Sequence, residues 1–192
     1  MEAGYFQIYT GNGKGKTTAA IGLAIRALGA GLSVYFGQFI KGMRYSEIAM
    51  LERLASMNDG KNGFDEVPAE GSRRAGALAI RQYGRGCFIF RDPGQADMEA
   101  ASAGLAEARN ALVSGAYDLV ILDEINVAIK LGVVQESDAI AIAQARPSGV
   151  ELVMTGRYAP DSLIHMADLV TEMREIKHYY AAGVQARDGI ER

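Results

Sequence analysis

The sequence has very few of the residues that build disulfides and most protein metal centres. Cys87 is the only cysteine, so no disulfide can form within the chain and a thiolate zinc cluster is excluded. The two histidines, His165 and His178, lie far apart in the sequence, and no His-Glu-x-x-His pattern occurs. These absences leave no set of residues with the spacing of a zinc site.

Long apolar runs and an excess of positive charge are missing too. No stretch of 18 apolar residues occurs, and the N-terminus lacks the basic start of a signal peptide, so we expect a cytoplasmic protein without a membrane span. The net charge of −3 argues against non-specific nucleic-acid binding as the main role. The 192 residues, 49% of them hydrophobic, predict one folded domain over residues 1–192.

Apolar runs alternate with helical patterns along the chain, which predicts βαβ units and a parallel sheet. We predict strands at 5–10, 32–39, 87–90, 119–122, 150–155 and 169–176, and helices at 16–29, 44–57, 95–114, 135–146 and 160–167. Residues 58–86 are expected to form surface loops with a short helix near 73–82. The polar segment 184–192 is expected to be a loose terminus.

The segment from Thr10 to Thr18 reads TGNGKGKTT and carries the most informative pattern. An apolar run precedes it and an Ala-rich helical run follows, as in phosphate-binding P-loops. Glycines let backbone N–H groups face an anion, and the next helix directs its positive dipole end at the same point. Lys16 would bridge terminal phosphates and Thr17 would hold Mg²⁺. Thr10 replaces the first glycine of the standard pattern, and the alternative is an ordinary glycine-rich turn.

An acidic pair, Asp123 and Glu124, follows the buried strand predicted at 119–122. In P-loop proteins an acid at this place lies on the magnesium side of the nucleotide site. The alternative is a carboxylate that caps the next helix near Asn126. The distance in sequence from Lys16 leaves room for an intervening strand, as in RecA-like sheets. The predicted fold class is therefore α/β: a mostly parallel sheet flanked by helices, of the RecA-like P-loop NTPase type.

Four segments together resemble one enzyme family. They are the GNGKGKTTAA core within residues 10–26, QFIKG at 38–42, residues 118–125, and a series that begins with ARP at 145–147 and continues through TGR at 155–157 to residue 186. In this order they resemble the ATP:corrinoid adenosyltransferases of the CobA/BtuR type. The likeness covers nearly the whole chain and is weakest from about 43 to 86.

The resemblance implies a reaction unlike that of a kinase. Members transfer the 5′-deoxyadenosyl group of ATP to the cobalt of a reduced corrinoid and release triphosphate. Co(I) is a strong nucleophile that attacks the ribose C5′, so no general base is needed. The resemblance further implies ATP held in reverse in the P-loop, Mg²⁺ or Mn²⁺ as cofactor, a flavoprotein reductant and a homodimer. Many members carry an extension before the P-loop, which here begins at residue 11, so we expect the site to close differently.

Carried over to this sequence, the resemblance assigns residues to the triphosphate, to the metal and to catalysis. The triphosphate would be wrapped by Gly11, Asn12, Gly13, Lys14, Gly15, Lys16, Thr17 and Thr18. Thr17 and Glu124, with Asp123 beside them, would bind the metal, and Lys16, Thr17 and Glu124 form the predicted catalytic set. Arg26 matches a family arginine on the helix after the loop, although a solvent-facing arginine is the alternative.

Two further predictions concern the corrinoid. Phe88 and Phe90 match an aromatic-x-aromatic pair that lies near the corrinoid's lower face in the family, where well-known members carry a Trp. Simple packing in a core strand is the alternative. Arg157 follows the strand predicted at 150–155 and could contact phosphate or a corrin amide, or pair with an acid.

Two other functions fit a P-loop chain of this kind. One is a RecA-like or nucleoside-kinase enzyme that acts on the γ-phosphate of ATP. The other is a non-enzymatic carrier that binds corrinoid and delivers it to a client enzyme. The products separate them, because only an adenosyltransferase yields triphosphate and a cobalt–carbon bond.

Overall fold

The computed structural model describes residues 2–58, 76–84 and 93–191. The strands in these ranges are β1 (Phe6–Thr10), β2 (Val34–Phe39), β3 (Leu78–Tyr83), β4 (Leu119–Asp123), β5 (Glu151–Thr155) and β6 (Leu169–Glu172). The helices are α1 (Lys16–Gly29), α2 (Ser46–Asn58), α3 (Gln95–Val113), α4 (Ile125–Lys130), α5 (Glu136–Gln144) and α6 (Asp161–Met166). A 3₁₀ turn at Tyr179–Ala182 follows β6.

The six strands form one sheet in the order β3-β2-β4-β5-β1-β6, and the paired strands run parallel. The strand that leads into the phosphate loop, β1, is separated by β5 from β4, which ends in the acidic pair. This confirms the α/β class, and β2 and β3 lie between the phosphate loop and the acidic pair in the sequence, where room for an intervening strand was expected. Because the carboxyl ends of parallel strands share one edge, residues distant in sequence meet there.

Helices cover both faces of the sheet. On one face α1 and α2 pack through Ala20, Ala24, Ile48 and Leu51. On the other face α3, α4, α5 and α6 pack over a larger core, with residues such as Leu105, Ile125, Ile142 and Leu163. The central strands β2 and β4 are buried at every position, which explains their continuous apolar runs.

The sequence prediction differs from the structure at three elements. Residues 78–83 form strand β3, not part of a short helix, because the segment pairs with β2 over its whole length. The predicted strand at 169–176 ends at Glu172. Helix α4, directly after the acidic pair, was not predicted. The strand predicted at 87–90 lies outside the described residues.

Candidate nucleotide and metal site

The phosphate loop connects β1 to α1 and holds its lysine inward. Gly15 precedes α1 with φ of 113°, in the left-handed region that favours glycine. The Lys16 ammonium donates to the carbonyl oxygens of Gly11 and Gly13, both at 2.7 Å, and the residue is only 8% exposed. Burial lowers the pKa of Lys16, although the nearby Glu124 carboxylate opposes this. The Lys16 side chain thus lies beside the N-terminal end of α1, where an anion would bind.

A neighbouring segment leaves no room for a side chain at two of the loop glycines. A Cβ on Gly11 would lie 2.4 Å from the Met173 carbonyl oxygen, and one on Gly13 would lie 2.8 Å from it. The Gly13 N–H donates to that same oxygen at 2.7 Å. Thr10, the departure from the standard pattern, is buried and its hydroxyl accepts from the Ala159 N–H at 3.3 Å. The residue that follows β6 therefore packs against the phosphate loop and supports it.

A row of polar side chains crosses the carboxyl edge of the sheet and orients Asp123. Gln82 on β3 donates to Gln38 on β2, and Gln38 donates to Asp123 Oδ2 at 2.9 Å. Thr155 on β5 donates to Asp123 Oδ1 at 2.7 Å, and Thr17 donates to the same oxygen at 3.0 Å. Asp123 has no exposure. Its carboxylate therefore acts on the site mainly by fixing the Thr17 hydroxyl.

Glu124 and Lys41 face each other above this row. Glu124 has φ of 60° and occupies the N-cap position of α4 without making a capping hydrogen bond, so the capping alternative does not apply to it. The Lys41 ammonium lies 3.2 Å from Glu124 Oε1 and 3.7 Å from Asp123 Oδ2. Burial alone would lower the pKa of Lys41, but the two carboxylates outweigh it and the pKa is raised.

A cavity of about 940 Å³ opens at this edge of the sheet. Of the predicted site residues it is lined by Gly13, Lys14, Gly15, Lys16, Thr17, Thr18, Glu124 and Arg157. Gly11, Asn12 and Asp123 do not line it; Gly11 and Asp123 support residues that do. Arg157 is exposed at the end of β5.

Arg26 is not brought to the cavity. It lies in the last turn of α1 and is exposed, about 15 Å along the helix axis from Lys16. The structure therefore favours the solvent-facing alternative that the sequence left open. Phe88 and Phe90 lie outside the described residues, so their role in corrinoid binding stays a prediction.

The cavity also has walls that sequence reasoning did not assign. They include Ile40, Lys41, Tyr45, Ser46, Glu47, Val127, His178, Gly189, Ile190 and Glu191. The last three belong to the segment expected to be a loose terminus, which instead lies against the loop, where the Lys14 ammonium donates to the Ile190 carbonyl at 3.0 Å. The QFIKG motif at 38–42 was the available signal for Lys41. No sequence pattern in or near residues 189–191 indicated that they line the cavity.

Two features are absent from the part of the chain that the structure describes. Among the described residues there is no group of three or more His, Cys, Asp or Glu side chains placed to bind a metal. None of the helices in the described ranges is both long and apolar enough to cross a membrane.

Known proteins resemble this chain over almost its full length. The family model "ATP:corrinoid adenosyltransferase BtuR/CobO/CobP" matches residues 2–192. A corrinoid adenosyltransferase of Pseudomonas aeruginosa is 35% identical over 99% of this chain and 84% of that protein. The corrinoid adenosyltransferase CobA of Salmonella typhimurium is 32% identical over 99% and 86%.

A solved structure also aligns with the chain, though distantly. The pilus retraction motor PilT with bound ADP matches with a TM-score of 0.40 and 13% identity over 81% of this chain and 32% of that chain. The full-length family match, joined to a phosphate loop and an acidic strand end at one cavity, leads to one conclusion: the chain belongs to the ATP:corrinoid adenosyltransferase family.

Proposed function

We propose that this chain transfers the 5′-deoxyadenosyl group of ATP to the Co(I) of a reduced corrinoid and releases triphosphate. The observation that carries the proposal is the shape of the site. The phosphate loop forms one wall of a cavity of about 940 Å³, and the apolar side chains of Ile21, Ile40 and Val127 line other parts of it. Such a cavity offers charged groups for a triphosphate and apolar side chains for a second substrate.

The proposed reaction needs no general acid or base from the protein. Co(I) donates an electron pair to C5′ of the ribose while the C5′–O bond to the triphosphate breaks, and the departing oxygen keeps that bonding pair. Cobalt is thereby oxidised from Co(I) to Co(III), and no proton needs to be removed. The protein's tasks are to align the two substrates and to stabilise charge on the leaving triphosphate.

Positively charged groups at the cavity match the charge of the triphosphate. Lys16 is held inside the loop by two carbonyl oxygens, and the α1 N-terminus adds its unpaired N–H groups. Arg157 lies at the same cavity from the β5 side. Because Lys16 and the α1 N-terminus are already in place, they support a role in stabilising the departing anion.

Magnesium fits the donor set at the cavity edge. Thr17, Asp123 and Glu124 offer only oxygen atoms, which Mg²⁺ prefers over nitrogen or sulfur. The Lys41 ammonium already lies among these three residues, so the position accepts a cation. When bound there with ATP, Mg²⁺ would neutralise negative charge on the phosphates. Thr17 and Glu124 would hold it, and Asp123 would orient Thr17. Mn²⁺ offers the same coordination chemistry.

Three further parts of the proposal rest on the family alone. A flavoprotein would supply the electron that reduces Co(II) to Co(I), the chain would act as a homodimer, and Phe88 and Phe90 would contact the corrinoid. A cytoplasmic location stays a prediction from the sequence. The proposed acceptor is a reduced corrinoid, without a choice among individual corrinoids.

The decisive experiment mixes the protein with ATP, Mg²⁺ and a chemically reduced corrinoid and follows the corrin absorption spectrum. We expect a cobalt–carbon product together with one triphosphate per product. Lys16→Ala should lower the rate at least about 100-fold, the scale seen when a preorganised charge stabiliser is removed. Lys130→Ala, which removes an exposed lysine at the end of α4, should leave the rate unchanged.

The products also decide between this function and its rivals. Orthophosphate or a phosphorylated acceptor without adenosylated corrinoid would identify an enzyme that acts on the γ-phosphate. Corrinoid binding without any product under reducing conditions would identify a carrier. Either result would overturn the proposal.

A further inference from the structure

Lys41 is a cavity cation to which the proposed reaction gives no role. It follows β2, and β2 pairs with β4 so that Gln38 lies opposite Asp123. Its ammonium lies 3.2 Å from Glu124 Oε1, 3.7 Å from Asp123 Oδ2 and 3.4 Å from Thr17 Oγ1. These are the three residues that we assign to the metal, so one ammonium lies within 4 Å of every proposed metal group.

The backbone holds Lys41 in this place. Ile40 has φ of 54°, an unfavourable conformation for a β-branched residue. The Lys41 N–H donates to the Phe39 carbonyl at 2.6 Å across it, which closes a tight γ-turn of the strained, positive-φ kind. Gly84 packs against the turn so closely that a Cβ there would lie 2.5 Å from the Lys41 carbonyl carbon. The direction of Lys41 is thus set by the fold around it.

The partner carboxylate is held in a similar way. Glu124 has φ of 60°, again in the left-handed region. Only three non-glycine residues in the described ranges have positive φ, and Ile40 and Glu124 are two of them. Strained backbone on both sides of an ion pair is typical of a functional site rather than of a surface contact.

The acidic pair needs a counter-charge when no metal is present. Asp123 is fully buried and Glu124 is partly buried beside it, and a buried charge without a partner is unfavourable. Lys16 is directed elsewhere, since its ammonium donates to the carbonyls of Gly11 and Gly13. Lys41 is the ammonium that lies at the acidic pair.

We propose that Lys41 is a built-in substitute for the metal: its ammonium occupies the cation position of the nucleotide-free protein and is displaced when the metal enters with ATP. Once displaced, it lies in the cavity that the triphosphate enters and gives its charge to the phosphate oxygens. The metal alone binds poorly because it must expel Lys41 into a cavity without an anion. The triphosphate removes that penalty, so metal and nucleotide bind cooperatively. This inference rests on the proposed function, because it takes the metal site from there.

The test measures Mn²⁺ binding by electron paramagnetic resonance, first without nucleotide and then with saturating ATP. Three proteins are compared: the wild type, Lys41→Met and the matched control Lys130→Met, which removes an exposed lysine that lies over the Tyr158 ring. Without ATP, Lys41→Met should bind Mn²⁺ about tenfold more tightly than the wild type, because the competing cation is gone. Lys130→Met should match the wild type. ATP should tighten Mn²⁺ binding more in the wild type than in Lys41→Met.

Other outcomes distinguish a failure of the proposed Lys41 role from a failure of the proposed metal site. If the wild type binds Mn²⁺ with ATP but Lys41→Met gains no affinity without ATP, the role of Lys41 is overturned and the proposed function stands. If no variant binds Mn²⁺ even with ATP, the proposed metal site fails and this inference fails with it. Lys41→Gln and Lys41→Arg provide further variants should Lys41→Met fold poorly. The first should behave as Lys41→Met, and the second, which keeps the charge, as the wild type.

Discussion

The Asp123 carboxylate, which has no solvent exposure, accepts hydrogen bonds from Thr17, Gln38 and Thr155. A buried charge is tolerated only with such partners. Thr155 has a second task, since its hydroxyl also accepts from the Glu124 N–H at 3.0 Å. One hydroxyl thus fixes both acids of the proposed metal site.

Removing that hydroxyl should therefore destabilise the protein and disturb the site. Thr155→Val keeps the shape of the side chain but leaves a carboxylate oxygen and a backbone N–H with one partner fewer, at a cost of about 1–3 kcal/mol. The free energy of unfolding in urea measures this. Thr171→Val, at an exposed position of β6, is the control and should change stability little. Equal stability of the two variants would contradict the role of Thr155.

At the scale of elements, a polar chain joins β2, β3 and α3. The hydroxyls of Tyr35 and Tyr83 are hydrogen-bonded, and Tyr83 donates to Glu107 at 2.8 Å. Gly104 of α3 packs on the Tyr83 ring so closely that a Cβ would lie 2.4 Å from Cγ. Strand β3, which was not predicted from the sequence, is therefore held in place by pairing with β2 and by packing against α3.

Two glycine-to-alanine changes test this close packing. Gly104→Ala should destabilise the protein by about 1–3 kcal/mol, because the new methyl group overpacks the contact with Tyr83. Gly22→Ala is the matched change inside α1, where nothing lies within 4 Å of the new Cβ. It should stabilise the protein by about 0.5–1 kcal/mol through helix propensity. Thermal or urea unfolding gives both values, and effects of the same sign would contradict the packing argument.

The same tyrosines predict a loss of stability at alkaline pH. Burial raises the pKa of Tyr35 to about 12, above its ordinary value near 10. The folded protein therefore binds this proton more tightly than the unfolded chain, so the contribution is present below pH 10 and is lost as pH rises towards 12. Urea unfolding at pH 9 to 12 should show a steeper decline for the wild type than for Tyr35→Phe. Tyr5→Phe, at a position 56% exposed, should decline like the wild type.

At the scale of the whole molecule, the proposed ligand connects parts that are far apart in the chain. The phosphate loop, the end of β2, the start of α4 and residues 189–191 all line one cavity. A ligand that binds only the folded state stabilises all of these parts together. The size of that effect depends on ligand concentration relative to Kd.

We therefore expect Mg²⁺ and ATP at 100 times Kd to add about 2.7 kcal/mol of stability, which corresponds to a rise in Tm of about 5–10 °C. Tripolyphosphate alone should also raise Tm, since the loop is proposed to bind the phosphates, and Lys16→Ala should abolish both shifts. Differential scanning fluorimetry measures this. A shift with adenosine but none with tripolyphosphate would show that the loop does not bind the triphosphate.

The sequence by itself determined what depends on neighbours in the chain. The phosphate loop, its helix and the acid after β4 are each a short continuous pattern, and α1 begins and ends where it was predicted. Residues 78–83 were misjudged because an Ala-containing segment has a local preference for helix, and only pairing with β2 overrides it.

Only the tertiary structure decided which distant residues meet. Gln38, Lys41, Thr155 and residues 189–191 contribute to the site although long stretches of sequence separate them, and Arg26 does not contribute although it lies on the helix after the loop. The physical reason is the parallel sheet: it brings the carboxyl ends of all its strands to one edge, whatever their distance in sequence, while a helix carries each successive turn away from that edge.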